Sequence, residues 1–64
     1  MDNNLKKIRE EAGLSQAELS DKSGVARTII SFLETKKDCN VKVNTLIALA
    51  NALNESVENI FLLR

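Results

Sequence analysis

The sequence predicts an all-α domain, a compact bundle of five helices. The 64-residue chain contains no proline and only two aromatic residues, and its β-branched residues lack the period-two alternation of a half-buried strand. Apolar residues recur three and four positions apart, which is the spacing of one helical face. A chain of this length forms one domain, residues 1–64, and buries about 60% of the surface that its unfolded form exposes.

The first helix is predicted by apolar residues at helical spacing, beginning with Leu5 and Ile8. Asn3 or Asn4 can cap its start, because asparagine favours the N-cap position. Gly13 suits the left-handed conformation that follows a helix. The helix therefore lies between these two signals.

The second helix opens with the clearest local signal in the chain. Ser15 and Glu18 have the spacing of a capping box, in which each side chain accepts a hydrogen bond from the backbone N–H of the other residue. Such a cap contributes about 1 kcal/mol. We expect the helix to run to Lys22 or Ser23, followed by a tight turn at Gly24.

Three more helices are predicted at about residues 27–35, 43–53 and 57–62, and the charged, aperiodic segment 36–42 is predicted to be a surface loop. Ser56 is placed to cap the last helix. The residues of these helices expected to face the core are Ile30, Leu33, Leu46, Leu49, Ala50, Leu53, Ile60 and Phe61.

Residues 16–35 have the length and pattern of a helix-turn-helix, two helices joined by a short turn that contains glycine. In DNA-binding members of this class, the second helix lies in the major groove. Ile30 and Leu33 form the buried face of the second helix. Its other faces carry a cation, hydroxyl groups and an aromatic ring, a mixture that suits base edges and thymine methyl groups. These residues are Arg27, Thr28, Ser31, Phe32 and Thr35.

Composition excludes several classes of site. The chain has no histidine and one cysteine, Cys39, so it can form neither an internal disulfide nor a Cys/His zinc site. General acid–base or nucleophilic chemistry lacks its usual groups, and the chain has too little mass to enclose a pocket. We therefore expect no enzyme activity, cofactor or small-molecule ligand.

The N-terminus and the hydropathy indicate a cytoplasmic setting. The chain starts at Met1 with polar and charged residues rather than a signal peptide, and a single cysteine fits a reducing compartment. No apolar run approaches the roughly 20 residues of a membrane span, and no basic amphipathic stripe suggests a membrane surface.

The sequence resembles the lambda-repressor-like, Cro/C1-type helix-turn-helix domains of the Xre family. The matching stretches are LKKIREEAGLSQAELS, SGVARTIISFLE and TLIALANALNESVENIF, which together cover nearly the whole chain. The resemblance implies a five-helix domain that binds operator DNA, usually as a symmetric homodimer. A repressor of transcription is the expected class.

The resemblance also implies roles for individual residues. Gln16 matches a phosphate contact at the start of the second helix, and Arg9 and Glu34 match a structural ion pair between the first and third helices. Phe32 stands where a polar residue is common, which favours apolar contact with thymine over hydrogen bonding. The expected DNA contacts are Gln16, Ala26, Arg27, Thr28, Ser31, Phe32, Lys36, Lys37, Asn40 and Lys42.

Two alternatives remain open. A net charge of zero is unusual for a nucleic-acid-binding domain. Together with Ile29 and Phe32 it would suit a protein-interaction module that kept the fold without binding DNA, although Ile29 is interpreted here as a partly buried core residue. Leu62 and Leu63 are candidates for a dimer interface, and the alternative is that they belong to a frayed chain end.

Overall fold

The computed structural model describes residues 4–35 and 41–61. Those residues form five helices and no strand, which confirms the predicted all-α class. The helices are α1 (Leu5–Glu11), α2 (Gln16–Ser23), α3 (Arg27–Thr35), α4 (Val43–Leu53) and α5 (Val57–Phe61). The predicted end of α5, near Leu62, lies outside the described residues.

One hydrophobic core joins all five helices. The helix α2 packs against α3 and α4, while α5 packs against α4 and α1, and α1 also contacts α3. The eight residues of α3, α4 and α5 that helical spacing predicted to face the core are all buried, whereas Ile29, interpreted as partly buried core, is not. The core residues are Leu5, Leu19, Val25, Ile30, Leu33, Leu46, Leu49, Ala50, Ala52, Leu53, Ile60 and Phe61.

The start of α1 differs from the prediction. Asn4 occupies the N-cap position, but its side chain makes no capping hydrogen bond, because its backbone (φ −105°, ψ 18°) is not the extended conformation of a usual N-cap. Its side-chain Nδ2 instead donates to the backbone oxygen of Asn59 at 3.3 Å. Its backbone N–H donates to the oxygen of Ile60 at 2.6 Å. Asn4 therefore joins the start of α1 to α5. Asn3 lies outside the described residues.

The turn between α2 and α3 is held by hydrogen bonds on both sides of Gly24. Gly24 has φ +76°, the left-handed conformation expected there. The Ser20 hydroxyl donates to the backbone oxygen of Val25 at 2.6 Å, and the Val25 N–H donates to the Ser23 hydroxyl oxygen at 3.1 Å. Val25 is itself buried. These contacts fix the direction in which α3 leaves the turn.

No helix within residues 4–35 and 41–61 combines the length and the apolar character needed to cross a bilayer.

The predicted capping box at the start of α2 is confirmed. The Glu18 N–H donates to Ser15 Oγ at 3.0 Å, and the Ser15 N–H donates to Glu18 Oε1 at 2.9 Å. The backbone hydrogen bond from Ser15 is the main reason that the pKa of Glu18 is lowered. A carboxylate at this position also lies near the positive end of the helix dipole.

Replacing Ser15 by alanine is expected to lower the free energy of unfolding by about 1 kcal/mol, because the Glu18 N–H loses its partner. Urea unfolding followed by circular dichroism measures the change, and Glu18→Gln, which retains an acceptor oxygen, is the control. Because the folded pKa of Glu18 is lowered, its stabilisation is present at neutral pH and is lost as pH falls through that pKa. The wild type should therefore lose more stability on acidification than Glu18→Gln. Equal stability of wild type and Ser15→Ala would mean that the Ser15 side chain does not stabilise the start of α2.

Candidate nucleic-acid interface

One side of α3 faces solvent while the opposite side anchors the helix. Ile30 and Leu33, at the back, are fully buried. No other part of the described chain covers the outward side. The exposed residues there are Ala26, Arg27, Thr28 and Phe32, and Ser31 is half-buried.

A groove runs between the outward side of α3 and the start of α4. Thr28, Ile29 and Phe32 form one wall, and the other wall comes from α4 and the residues just before it: Val41, Lys42 and Thr45. Three of the six lining residues are apolar, the other three are two threonines and one lysine, and no carboxylate from the described residues lines the groove. It is therefore suited to apolar groups that lie next to negative charge.

The interpretation of Ile29 as a partly buried core residue is wrong, because Ile29 is neither in the core nor among the partly buried residues packed against it. Its side chain is 37% exposed and lies in the groove beside Phe32, which is 44% exposed. One step along a helix rotates the side chain by about 100°, so the residue before buried Ile30 points away from α1 and α2. The sequence contains one signal for this position, because Ile29 and Phe32 are three residues apart and share a face.

The basic residues of the candidate interface are only partly described. Arg27 begins α3 with an exposed side chain, and Lys42 is exposed at the N-cap position of α4. Lysine has no acceptor atom, so it makes no capping hydrogen bond there and its ammonium group remains available for other contacts. Lys36, Lys37, Asn40, Leu62 and Leu63 lie outside the described residues.

A buried ion pair joins α1 to α3. Arg9 Nε lies 2.7 Å from Glu34 Oε2, and Arg9 Nη2 donates to Glu34 Oε1 at 3.0 Å. The Arg9 Nη1 group donates to the backbone oxygen of Leu14 at 2.7 Å. Arg9 is 8% exposed, and the Glu34 side chain is 2% exposed. These are the two residues that the family resemblance paired.

The hydrogen bond to Glu34 raises the pKa of Arg9, and this effect outweighs the opposing effect of burial. The paired geometry, with two N–H groups facing the two carboxylate oxygens, suits the planar guanidinium. Every buried side-chain nitrogen and oxygen in the described segments has a hydrogen-bond partner. The pair is therefore buried without an unsatisfied polar atom.

Gln16 joins the same network from the start of α2. Its side-chain Nε2 donates to Glu34 Oε1 at 3.0 Å, and the side chain is half-buried. The family resemblance implies a phosphate contact for Gln16, and its contact with Glu34 was not predicted, because the two residues are 18 positions apart and no local pattern links them. The network thus connects α1, α2 and α3.

Two comparisons with known proteins bear on this arrangement. A family model described as helix-turn-helix matches residues 5–60. The protein named control protein C.SmaI, from Serratia marcescens, is 46% identical over 54 residues. The aligned region is 84% of this chain and 63% of that protein, so this chain spans under two thirds of the relative's length.

Replacing Glu34 by alanine is expected to lower the free energy of unfolding by about 3 kcal/mol, because it leaves the buried Arg9 guanidinium without its counter-charge. Urea unfolding monitored by circular dichroism gives the value. The matched control is Glu11→Ala, which removes an exposed carboxylate from α1 and should change stability by less than about 0.5 kcal/mol. If the two variants were equally stable, the ion pair would contribute nothing to the fold.

Proposed function

Because the chain belongs to the Cro/C1-type helix-turn-helix family, the family predicted from its sequence, we propose that it is a sequence-specific DNA-binding regulator of transcription. The family match and the relative support the general class, a DNA-binding regulator rather than an enzyme. The observation that carries the specific proposal is the outward side of α3. It is open to solvent opposite the buried Ile30 and Leu33.

In the proposed complex, α3 lies in the major groove of the operator. The major groove of B-DNA is about 12 Å wide and accepts one α-helix. The hydrogen bonds of the turn around Gly24 and the packing of α2 against α4 hold α3 at a fixed angle to the rest of the domain. The proposed base contacts are Ala26, Arg27, Thr28, Ser31 and Phe32, and the proposed phosphate contacts are Gln16, Lys36, Lys37, Asn40 and Lys42.

Arg27 is the residue best suited to reading a base. Its exposed guanidinium lies at the first position of α3, the end of a recognition helix that reaches base edges. Arginine donates two hydrogen bonds to the O6 and N7 atoms of guanine, the commonest specific contact in the major groove. We propose that Arg27 reads one guanine in each half-site.

The groove beside α3 is proposed to receive thymine methyl groups. Phe32 and Ile29 offer apolar surface, and neither can read a base by side-chain hydrogen bonds. A thymine methyl is the apolar group that the major groove presents. Lys42 at the edge of the groove would face the phosphates on either side.

The protein is further proposed to act as a homodimeric repressor on a palindromic operator. One helix reads only a few base pairs, and two-fold symmetry places two such helices about one turn of DNA apart. Leu62 and Leu63 remain the candidate dimer contacts. A dimer bound to such an operator would repress by occupying the site.

A second candidate function is favoured by one observation. Ile29 and Phe32 form an exposed apolar surface on a chain with zero net charge, which would also suit contact with another protein. The response to salt separates the two functions. Phosphate contacts release counterions and weaken as salt rises, whereas an apolar protein contact does not.

Selection of bound sequences from a random DNA pool, followed by anisotropy titrations at two salt concentrations, tests the proposed function. We expect a palindromic site and a plot of log K against log salt with a negative slope of several units.

On the selected site, Arg27→Ala should lose about 1 to 3 kcal/mol of binding free energy and relax specificity at one base pair. The control, Lys7→Ala, removes an exposed cation from α1 and should retain specificity.

Salt-insensitive binding, or no selected sequence, would favour the protein-interaction module. An equal loss on all DNA sequences would make Arg27 a phosphate contact.

Replacing single thymines of the selected site by deoxyuridine removes one methyl group at a time and tests the groove. At one position per half-site, the wild type should lose about 0.8 kcal/mol, the contribution of one buried carbon. Phe32→Ala should be insensitive to the same change. Ile47→Ala is the matched control, because Ile47 is 42% exposed and lies outside the groove. If wild type and Phe32→Ala responded identically, Phe32 would have no role in reading thymine.

A further inference from the structure

Glu34 has a second polar contact besides its ion pair. One carboxylate oxygen, Oε1, accepts hydrogen bonds from both Arg9 Nη2 and Gln16 Nε2, each at 3.0 Å. Gln16 is the first residue of α2, and its side chain is half-buried. We infer that Glu34, held in place by Arg9, is a positioning residue for the contact of Gln16 with DNA. The inference rests on the proposed function.

The contact with Glu34 sets the orientation of the Gln16 amide. A carboxylate accepts hydrogen bonds and cannot donate them, so Gln16 must present its NH₂ group and not its carbonyl oxygen. One N–H of that group donates to the Glu34 carboxylate, and the other N–H can donate to a second acceptor. A phosphate needs a donor, and this second N–H can supply it.

Holding the glutamine before DNA binds also lowers the entropic cost of the contact. A free glutamine side chain has several rotatable torsions, and it loses most of this freedom when it is fixed against a ligand. In this fold, the hydrogen bond to Glu34 fixes the side chain already in the free protein. Preorganisation of this kind raises affinity without an additional contact.

Arg9 makes a carboxylate acceptable at this position. An unpaired carboxylate close to the DNA backbone would repel the phosphates. The guanidinium of Arg9 faces both oxygens of Glu34, and the carboxylate is almost fully buried. The carboxylate therefore acts on DNA only through Gln16. Arg9 also binds the backbone oxygen of Leu14, which fixes the segment that leads into α2.

A double-mutant cycle on the selected operator tests the inference. The four proteins are wild type, Gln16→Ala, Glu34→Gln and the double variant, compared at a temperature at which circular dichroism shows each to be folded. The amide introduced by Glu34→Gln retains the shape of the carboxylate, but it can present either NH₂ or oxygen to Gln16 and no longer fixes its orientation. We expect Glu34→Gln to weaken binding roughly fivefold when Gln16 is present and less than about twofold when it is absent.

A residue with a purely structural role would give the same loss in both backgrounds, and that result would overturn the inference. If Glu34→Gln does not fold, Glu34→Asp replaces it in the cycle. Aspartate retains a negative charge near Arg9, but its side chain is one CH₂ shorter, so the oxygen that Arg9 and Gln16 share is withdrawn from both and Gln16 loses its acceptor. Loss of DNA binding by the wild type would overturn the proposed function itself, whereas an additive cycle with a wild type that binds would overturn only the positioning role.

A scan of neutral methylphosphonates along the operator backbone provides an independent readout. At one phosphate per half-site, neutralisation should weaken binding by the wild type. The same substitution should have a smaller effect on Gln16→Ala and on Glu34→Gln. If no phosphate were less important to Gln16→Ala and Glu34→Gln than to the wild type, the proposed link from Glu34 through Gln16 to DNA would be contradicted.

Discussion

The arrangement of the first three helices depends on the buried pair of Arg9 and Glu34. Helices of seven to nine residues are too short to be stable alone, so contacts between helices must hold them. The pair joins α1 to α3, and Gln16 and the backbone of Leu14 connect the same two side chains to the start of α2. Removing water from two charges has a high cost, and here each charge has hydrogen-bonding partners that offset it. Leu19 of α2 and Ile30 and Leu33 of α3 belong to the apolar core that joins these helices to α4 and α5.

The helices could be predicted because their limits are set by local chemistry. The capping box at Ser15 and the left-handed glycine at position 24 each act within a few residues, so the sequence displays them directly. The buried faces of α3 and α4 follow from helical periodicity in the same way. The role of Asn4 could not be predicted, since its partners in α5 lie more than 50 positions away and replace the expected cap.

The candidate site was less predictable than the fold. Periodicity identifies one buried stripe on α3, but it does not show how many neighbours cover the other faces. Ile29 is exposed because α1 and α2 occupy only the side of α3 that carries Ile30 and Leu33. The contact between Gln16 and Glu34 depends on the conformation of a flexible side chain across two helices, which no local pattern encodes. A domain with five short helices leaves such surfaces open, and these are the surfaces available for binding.

The hydrogen bond between Asn4 and Ile60 also determines where additional polypeptide can be joined to this domain. It brings the beginning and the end of the described fold side by side, with α5 docked on α1. Polypeptide joined before residue 4 and polypeptide joined after residue 61 would therefore attach at neighbouring points of the described fold. Two folded domains joined directly at these two points would compete for the same space, so a label is better attached at one of them.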